Sequence, residues 1–164
     1  MRISRGKGEK IDFSQVEPIE AELLKQIPAA TQGEDDPKVK SRLYPDPGGG
    51  SETSLAADWE ELIRPELEHL FLSSRRLVEN DLAQIKEKRG FATLSIPLAH
   101  ADAWLNALNQ ARLVLATRYD FTDAELLQYE PPVIFSRRDL ALLQINFYAA
   151  IQERLIEALE GRLR

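Results

Sequence analysis

Apolar residues recur at helical spacing over most of this chain, interrupted by two short alternating stretches and one segment with no period. Ile19, Leu23, Leu24 and Ile27 mark a short amphipathic helix that opens at Pro18, where a first helical turn tolerates proline, and stops at Pro28. A longer stripe follows through Leu55, Trp59, Leu62, Ile63, Leu67, Leu70, Phe71, Leu77, Val78, Leu82 and Ile85. Pro65 lies inside it and removes one backbone hydrogen bond, which predicts a kink there or a junction of two helices with Pro65 in the first turn of the second. Lys86, Lys88 and Arg89 complement the negative end of a helix and Gly90 suits a left-handed cap, so this helix is expected to run to Gly90.

Trp104, Leu105, Leu108, Ala111 and Leu115 predict a further helix over about 99–118. Thr122 and Glu125 form a capping box for a shorter one, closed by Pro131 and Pro132. Ser136 with Asp139 caps a final helix, apolar on nearly all sides over 140–151 and carrying Leu155, Ile156 and Leu159 beyond. That helix is expected at the centre of a bundle.

Two stretches alternate instead. Residues 3–5, a Gly6-Lys7-Gly8 turn and a second piece through Ile11 and Phe13 predict a hairpin. Ala92, Leu94, Ile96 and Leu98 against Thr93 and Ser95 predict one more strand, paired with the N-terminal piece. Over 29–52 periodicity vanishes among Gly33, three consecutive acids at 34–36, Pro37, Pro45, Pro47 and the triplet Gly48-Gly49-Gly50, and this stretch is expected to be a mobile loop. The predicted fold is mainly α, a single-domain helical bundle over 1–164 with a minor β-hairpin or short strand pair.

Composition narrows the chemistry. A chain of 164 residues, 43% hydrophobic and 29% charged, has the size and balance of one globular core. The absence of cysteine removes disulfides, thiolate nucleophiles and thiolate metal sites together and suits a reducing compartment. The basic N-terminus leads into no apolar run, and no stretch approaches the ~20 apolar residues of a membrane span, so a cytoplasmic location and no membrane partner are expected. A net charge of −6 is the wrong sign for binding nucleic acid through phosphate neutralisation.

Candidate sites are sparse. Glu66 and His69 offer one Glu-x-x-His pair, but a di-metal bundle needs a second pair and two further glutamates, so no metal or other cofactor is expected and His69 suits a solvated surface. Nucleophilic catalysis could draw on Ser73 or Ser74 near His69, or on a group folded near His100, without a Gly-x-Ser-x-Gly elbow to support either. The glycine triplet precedes a helix but lacks the lysine of a phosphate-binding loop. Asn109 and Arg112 share one face of the Trp104 helix, with Arg118 further along. They suit either a pocket for an anion or carboxylate, through the planar guanidinium fork, or a buried structural pair. Arg75-Arg76 and Arg137-Arg138 could make a basic patch or remain solvated. Tyr44, after Arg42, could anchor a partner or pin its own loop to the core.

The run Ala103-Trp-Leu-Asn-Ala-Leu-Asn-Gln-Ala-Arg-Leu-Val-Leu-Ala-Thr-Arg118 resembles an uncharacterised bacterial family, a domain of unknown function best populated in actinobacteria. The loop Arg42-Leu-Tyr-Pro-Asp46 and the order of elements are similar too. Ala116 stands where the family usually has Gly, and the stretch over 47–50 departs as a local insertion. The resemblance implies no catalytic residues. It does imply a link to regulated proteolysis, since members are often encoded beside the ClpS adaptor of the Clp protease. Together these observations favour a non-enzymatic protein-interaction or regulatory module, with a protein partner or a second copy docking through the apolar C-terminal helix. The alternative is a small-molecule binder or enzyme with a pocket around Asn109 and Arg112.

Overall fold

A computed structural model describes residues 1–47, 53–127 and 136–162. Strands β1 (Arg2–Gly6) and β2 (Lys10–Val16) form the N-terminal hairpin, with Ile3 opposite Phe13. Helices α1 (Pro18–Lys25), α2 (Ile27–Ala30) and α3 (Pro37–Leu43) follow, then α4 (Thr53–Asp58), a π-turn (Trp59–Ile63) and α5 (Arg64–Leu82). The short strand β3 (Lys86–Lys88) turns into β4 (Phe91–Pro97), and a 3-10 turn (Leu98–His100) leads into α6 (Ala101–Arg118). Helices α7 (Asp123–Leu126) and α8 (Arg137–Leu159) complete the chain.

The four strands form one antiparallel sheet in the order β1-β2-β4-β3. Its inner face is built by alternation: Ala92, Leu94 and Ile96 of β4 are buried while Thr93 and Ser95 face out. On β2 the alternation breaks after Phe13, where Gln15 takes a left-handed φ of 50° and the register shifts, which brings Val16 back to the buried side. The expected strand over 91–98 is thus β4, and its partner is β2 of the N-terminal hairpin.

The helices lie against the inner face of the sheet. Helix α6, touched by α2, α3, α5 and α8, is the central one, with Trp104, Ala107, Leu108, Ala111 and Val114 fully buried. Helix α8, expected at the centre, flanks it. Its buried residues Ala141, Ile145, Tyr148, Ile151, Leu155 and Ala158 recur at three- and four-residue steps on one side, and Ile156 and Leu159 stay exposed. The molecule is therefore mainly α with a minor sheet, but it is a layer of helices packed on strands and not a simple bundle.

Two further expectations change. The helix expected to reach Gly90 ends at Leu82, and residues 86–88 form β3 instead. Arg89 and Gly90 both adopt positive φ, 53° and 81°, the conformation of a two-residue hairpin turn, so the glycine turns a strand where it was expected to cap a helix. The stretch expected as loop over 29–52 contains α3, capped by the Asp36 side chain accepting from the Lys38 backbone at 2.9 Å. Val39, Leu43 and Tyr44 are buried there against Val114 in a small second core with Leu67 and Phe71 at its edge. The glycine triplet and the Pro131-Pro132 stop lie outside the described residues.

Pro65 occupies the first turn of α5, and the irregularity it predicts takes the form of the π-turn just ahead of it. Both capping boxes form as expected: Thr122 with Glu125 and Ser136 with Asp139. No helix among the described residues is long and apolar enough to cross a membrane.

Candidate functional site

Where the end of α5 meets the start of α6, two side-chain donors converge on one carboxylate. Asp81 sits in the last turn of α5, His100 immediately precedes α6, and Trp104 lies one helical turn further on. The Trp104 indole, fully buried and 5.5 Å from the Phe13 ring, donates through Nε1 to Asp81 Oδ2 at 2.8 Å. His100 Nδ1 lies 3.0 and 3.1 Å from the two Asp81 oxygens. An ionised carboxylate only accepts, so Nδ1 carries the proton. Nε2 is then the free lone pair of a neutral imidazole, or a second donor if the ring is charged. Among the described residues Nε2 has no hydrogen-bond partner.

This cluster borders a groove of about 430 Å³ lined by His69, Leu72, Ser73, Arg76, Leu77, Asn80, Asp81 and His100. The groove collects both histidines of the chain and the serine that the sequence sets near His69. It does not assemble a nucleophile: the Ser73 hydroxyl donates to the Leu70 carbonyl at 3.0 Å, and neither imidazole bonds to it. Among the described residues no three His, Asp or Glu side chains converge as a metal site.

The residues singled out on sequence scatter around α6. Arg112 is half-buried against α8 and donates from Nη1 to Gln152 Oε1 at 2.5 Å, while Gln152 donates to the Leu105 carbonyl at 3.2 Å. Its Nε is buried with no acceptor, and burial alone pulls the guanidinium below the usual arginine pKa, with no carboxylate paired to it among the described residues. A shallow pocket of about 470 Å³ opens beside it between Gln152, Glu153, Glu157 and Arg162. Asn109 is exposed one turn earlier on α6 and does not line that pocket. Arg118 and Tyr44 belong to the opposite, α3 side of α6. Arg118 donates to the Gln32 carbonyl at 2.8 Å, and Arg42 stands exposed on α3 itself. Tyr44 packs 5.8 Å from Phe71 with the Arg64 guanidinium 5.3 Å over its ring, and burial raises its phenol pKa.

The paired arginines have different surroundings. Arg138 joins α8 to α7 by donating to Glu125 at 2.6 Å and to the Tyr119 carbonyl at 3.2 Å, with its guanidinium 4.1 Å over Phe121. Arg76 lines the histidine groove. Sequence reasoning missed Asp81, which sits in a turn far along the chain from its partners. One local signal was available: His100 and Trp104 stand four residues apart, so a helix places two side-chain N–H donors on one face.

Comparison with curated proteins and with solved structures gives no match to the chain. A family model does match, and it spans nearly the whole molecule, from β1 to the end of α8, including α6 and both sides of the groove. With residues 5–159 matched, the chain belongs to the family described as Domain of unknown function (DUF2017).

Proposed function

We propose that this chain is a non-enzymatic protein-interaction module that docks a basic amphipathic segment of a protein partner on the outer face of α4, the π-turn and α5. The observation that carries this reading is a run of large apolar side chains that the described residues leave substantially exposed. Leu62 and Ile63 of the π-turn are followed by Leu70, seven residues on from Ile63 along α5, and preceded by Leu55 of α4, and each is 41% exposed or more. Glu60 and Glu68 share one cation, Arg64, at 2.7 and 3.0 Å, which leaves the trio one negative charge in excess. Asp58, Glu61 and Glu66 are exposed beside the stripe with no ion pair among the described residues. Those acids oppose a second copy of the same face and favour apolar anchors flanked by Lys or Arg, the helix-on-helix mode of peptide recognition.

The test is fluorescence anisotropy with a labelled amphipathic peptide carrying leucines on one face and lysines at its flanks. Saturable binding is expected. The double substitution Leu62→Asp, Ile63→Asp is expected to weaken it by roughly tenfold or more, the loss of about two buried leucine-sized contacts. Equal binding by the double variant would overturn the reading. The finer assignment, to regulated proteolysis in a bacterial cytoplasm, is supported by the resemblance and its ClpS context. Its test is calorimetric titration of the chain with the ClpS adaptor, where absence of heat at concentrations that saturate the peptide would remove that assignment alone.

One observation favours a second reading, a small-molecule site at Arg112. A half-buried guanidinium that, among the described residues, pairs with an amide and no acid is a charge without a close counterion, and a carboxylate ligand entering the pocket beside Gln152 would supply one. Crystals soaked in a small carboxylic acid would decide this, a bound carboxylate on Arg112 Nη supporting the site and an unliganded pocket opposing it.

A further inference from the structure

We propose that the groove between α5 and the 3-10 turn is a binding site for an oxyanion, a phosphate or carboxylate group carried on a small, partly apolar molecule. His69, Ser73, Arg76 and Asn80 stand at i, i+4, i+7 and i+11 of α5, one continuous face, and all four line the groove. Arg76, His69 and Asn80 make no hydrogen bond or ion pair with other described residues, so their donors are uncommitted. A solvated helix face would show the same ladder. What differs here is the opposite wall, where the Asp81 carboxylate holds His100 against α5 with Nε2 unpartnered among the described residues, a second donor towards the groove in the protonated ring.

Asp81 is the one acid of the lining, and its oxygens already accept from His100 and from Trp104. It therefore orients the imidazole and does not present a bare negative charge to an incoming anion. The remaining uncommitted donors, a set suited to a planar or tetrahedral oxyanion, are the Arg76 fork, the His69 ring N–H and the Asn80 amide, joined by His100 Nε2 when that ring is protonated; the Ser73 hydroxyl is already given to the Leu70 carbonyl. Leu72 and Leu77 complete the wall and offer apolar surface to the rest of the ligand. This site is independent of the docking face: it needs no protein partner, and neither Leu62 nor Ile63 lines it.

The experiment is an NMR titration of the purified full chain, following the His69 and His100 imidazole resonances, with inorganic phosphate in one arm and acetate in the other at constant ionic strength. Saturable shifts of both imidazoles by either anion are expected, and the anion that saturates at lower concentration identifies the head group. Arg76→Gln is expected to weaken binding by roughly tenfold or more while the thermal midpoint stays unchanged, because Arg76 is exposed and pairs with no other described residue. His69→Gln, equally exposed, is expected to weaken binding in the same direction. Shifts that stay linear with both anions, or affinities that neither substitution changes, would overturn the proposal.

Discussion

Asp81 is held by two donors of different kinds, one an indole in the core and one an imidazole at the surface, and each can be removed separately. Trp104→Ala deletes a fully buried ring together with its N–H, and the expected loss is about 3–5 kcal/mol. Trp104→Phe keeps most of the apolar volume against Phe13 and removes the donor, for an expected loss of about 1–3 kcal/mol. Urea denaturation of both variants separates packing from hydrogen bonding. An unchanged midpoint for the phenylalanine variant would show that His100 alone positions Asp81. Glu125 gives a second prediction at this scale. The Thr122 backbone N–H, then the Arg138 guanidinium, then the Thr122 hydroxyl lower its pKa from 4.5 to about 2. Because the folded value lies below the ordinary one, its stabilisation is present above pH 4.5 and is lost as pH falls towards 2. Thermal melts are expected to show Glu125→Gln less stable than the parent at neutral pH, with the gap closing on acidification through that window. A gap that widened in acid would reverse the assigned sign.

Elements were legible in the sequence where their signals are local. Each capping box needs only two side chains three residues apart, so Thr122 with Glu125 and Ser136 with Asp139 could be read directly. Strand β3 could not, because Lys86, Glu87 and Lys88 are all exposed and their only signal is the Arg89-Gly90 turn that joins them to β4. Helix α3 escaped notice for a related reason: two buried residues, Val39 and Leu43, hold it, and they stand among prolines and acids that suggest a loop. The groove needs Asp81, His100 and α5 together, and that juxtaposition depends on how β3 and β4 lead the chain back from α5 to α6. Close packing of α3 on α6 can be tested at Gly33, where an added Cβ would lie 2.6 Å from Val39 Cγ1 and 3.1 Å from Val114 Cγ1. Gly33→Ala is expected to cost about 1–3 kcal/mol by prising α3 from α6, measured by chemical denaturation. An unaltered stability would mean that the two valines move aside freely.

Across the whole molecule, burial is graded along the longest helical segment. Its far end is anchored, with Ser74, Val78 and Leu82 buried beneath α6 and the sheet. Its near end is not: no residue of the π-turn is buried, and Leu55, Leu62, Ile63 and Leu70 face solvent. Local stability follows the number of buried apolar contacts, so opening should need little free energy near the π-turn and close to the global value near Val78. Amide hydrogen exchange of the isolated chain is expected to show this gradient, fast over 55–63 and slow over 74–82. A partner seated on the stripe would order what it covers, since binding to the folded state adds to the stability of the segment it contacts. Saturating basic peptide is therefore expected to slow exchange over 55–70 and leave the already protected α6 unchanged. Uniform protection in the free chain would place the arm in the core and remove the docking face. Slowing confined to 69–80 would instead seat the peptide over the histidine groove and remove Leu62 and Ile63 as its docking face.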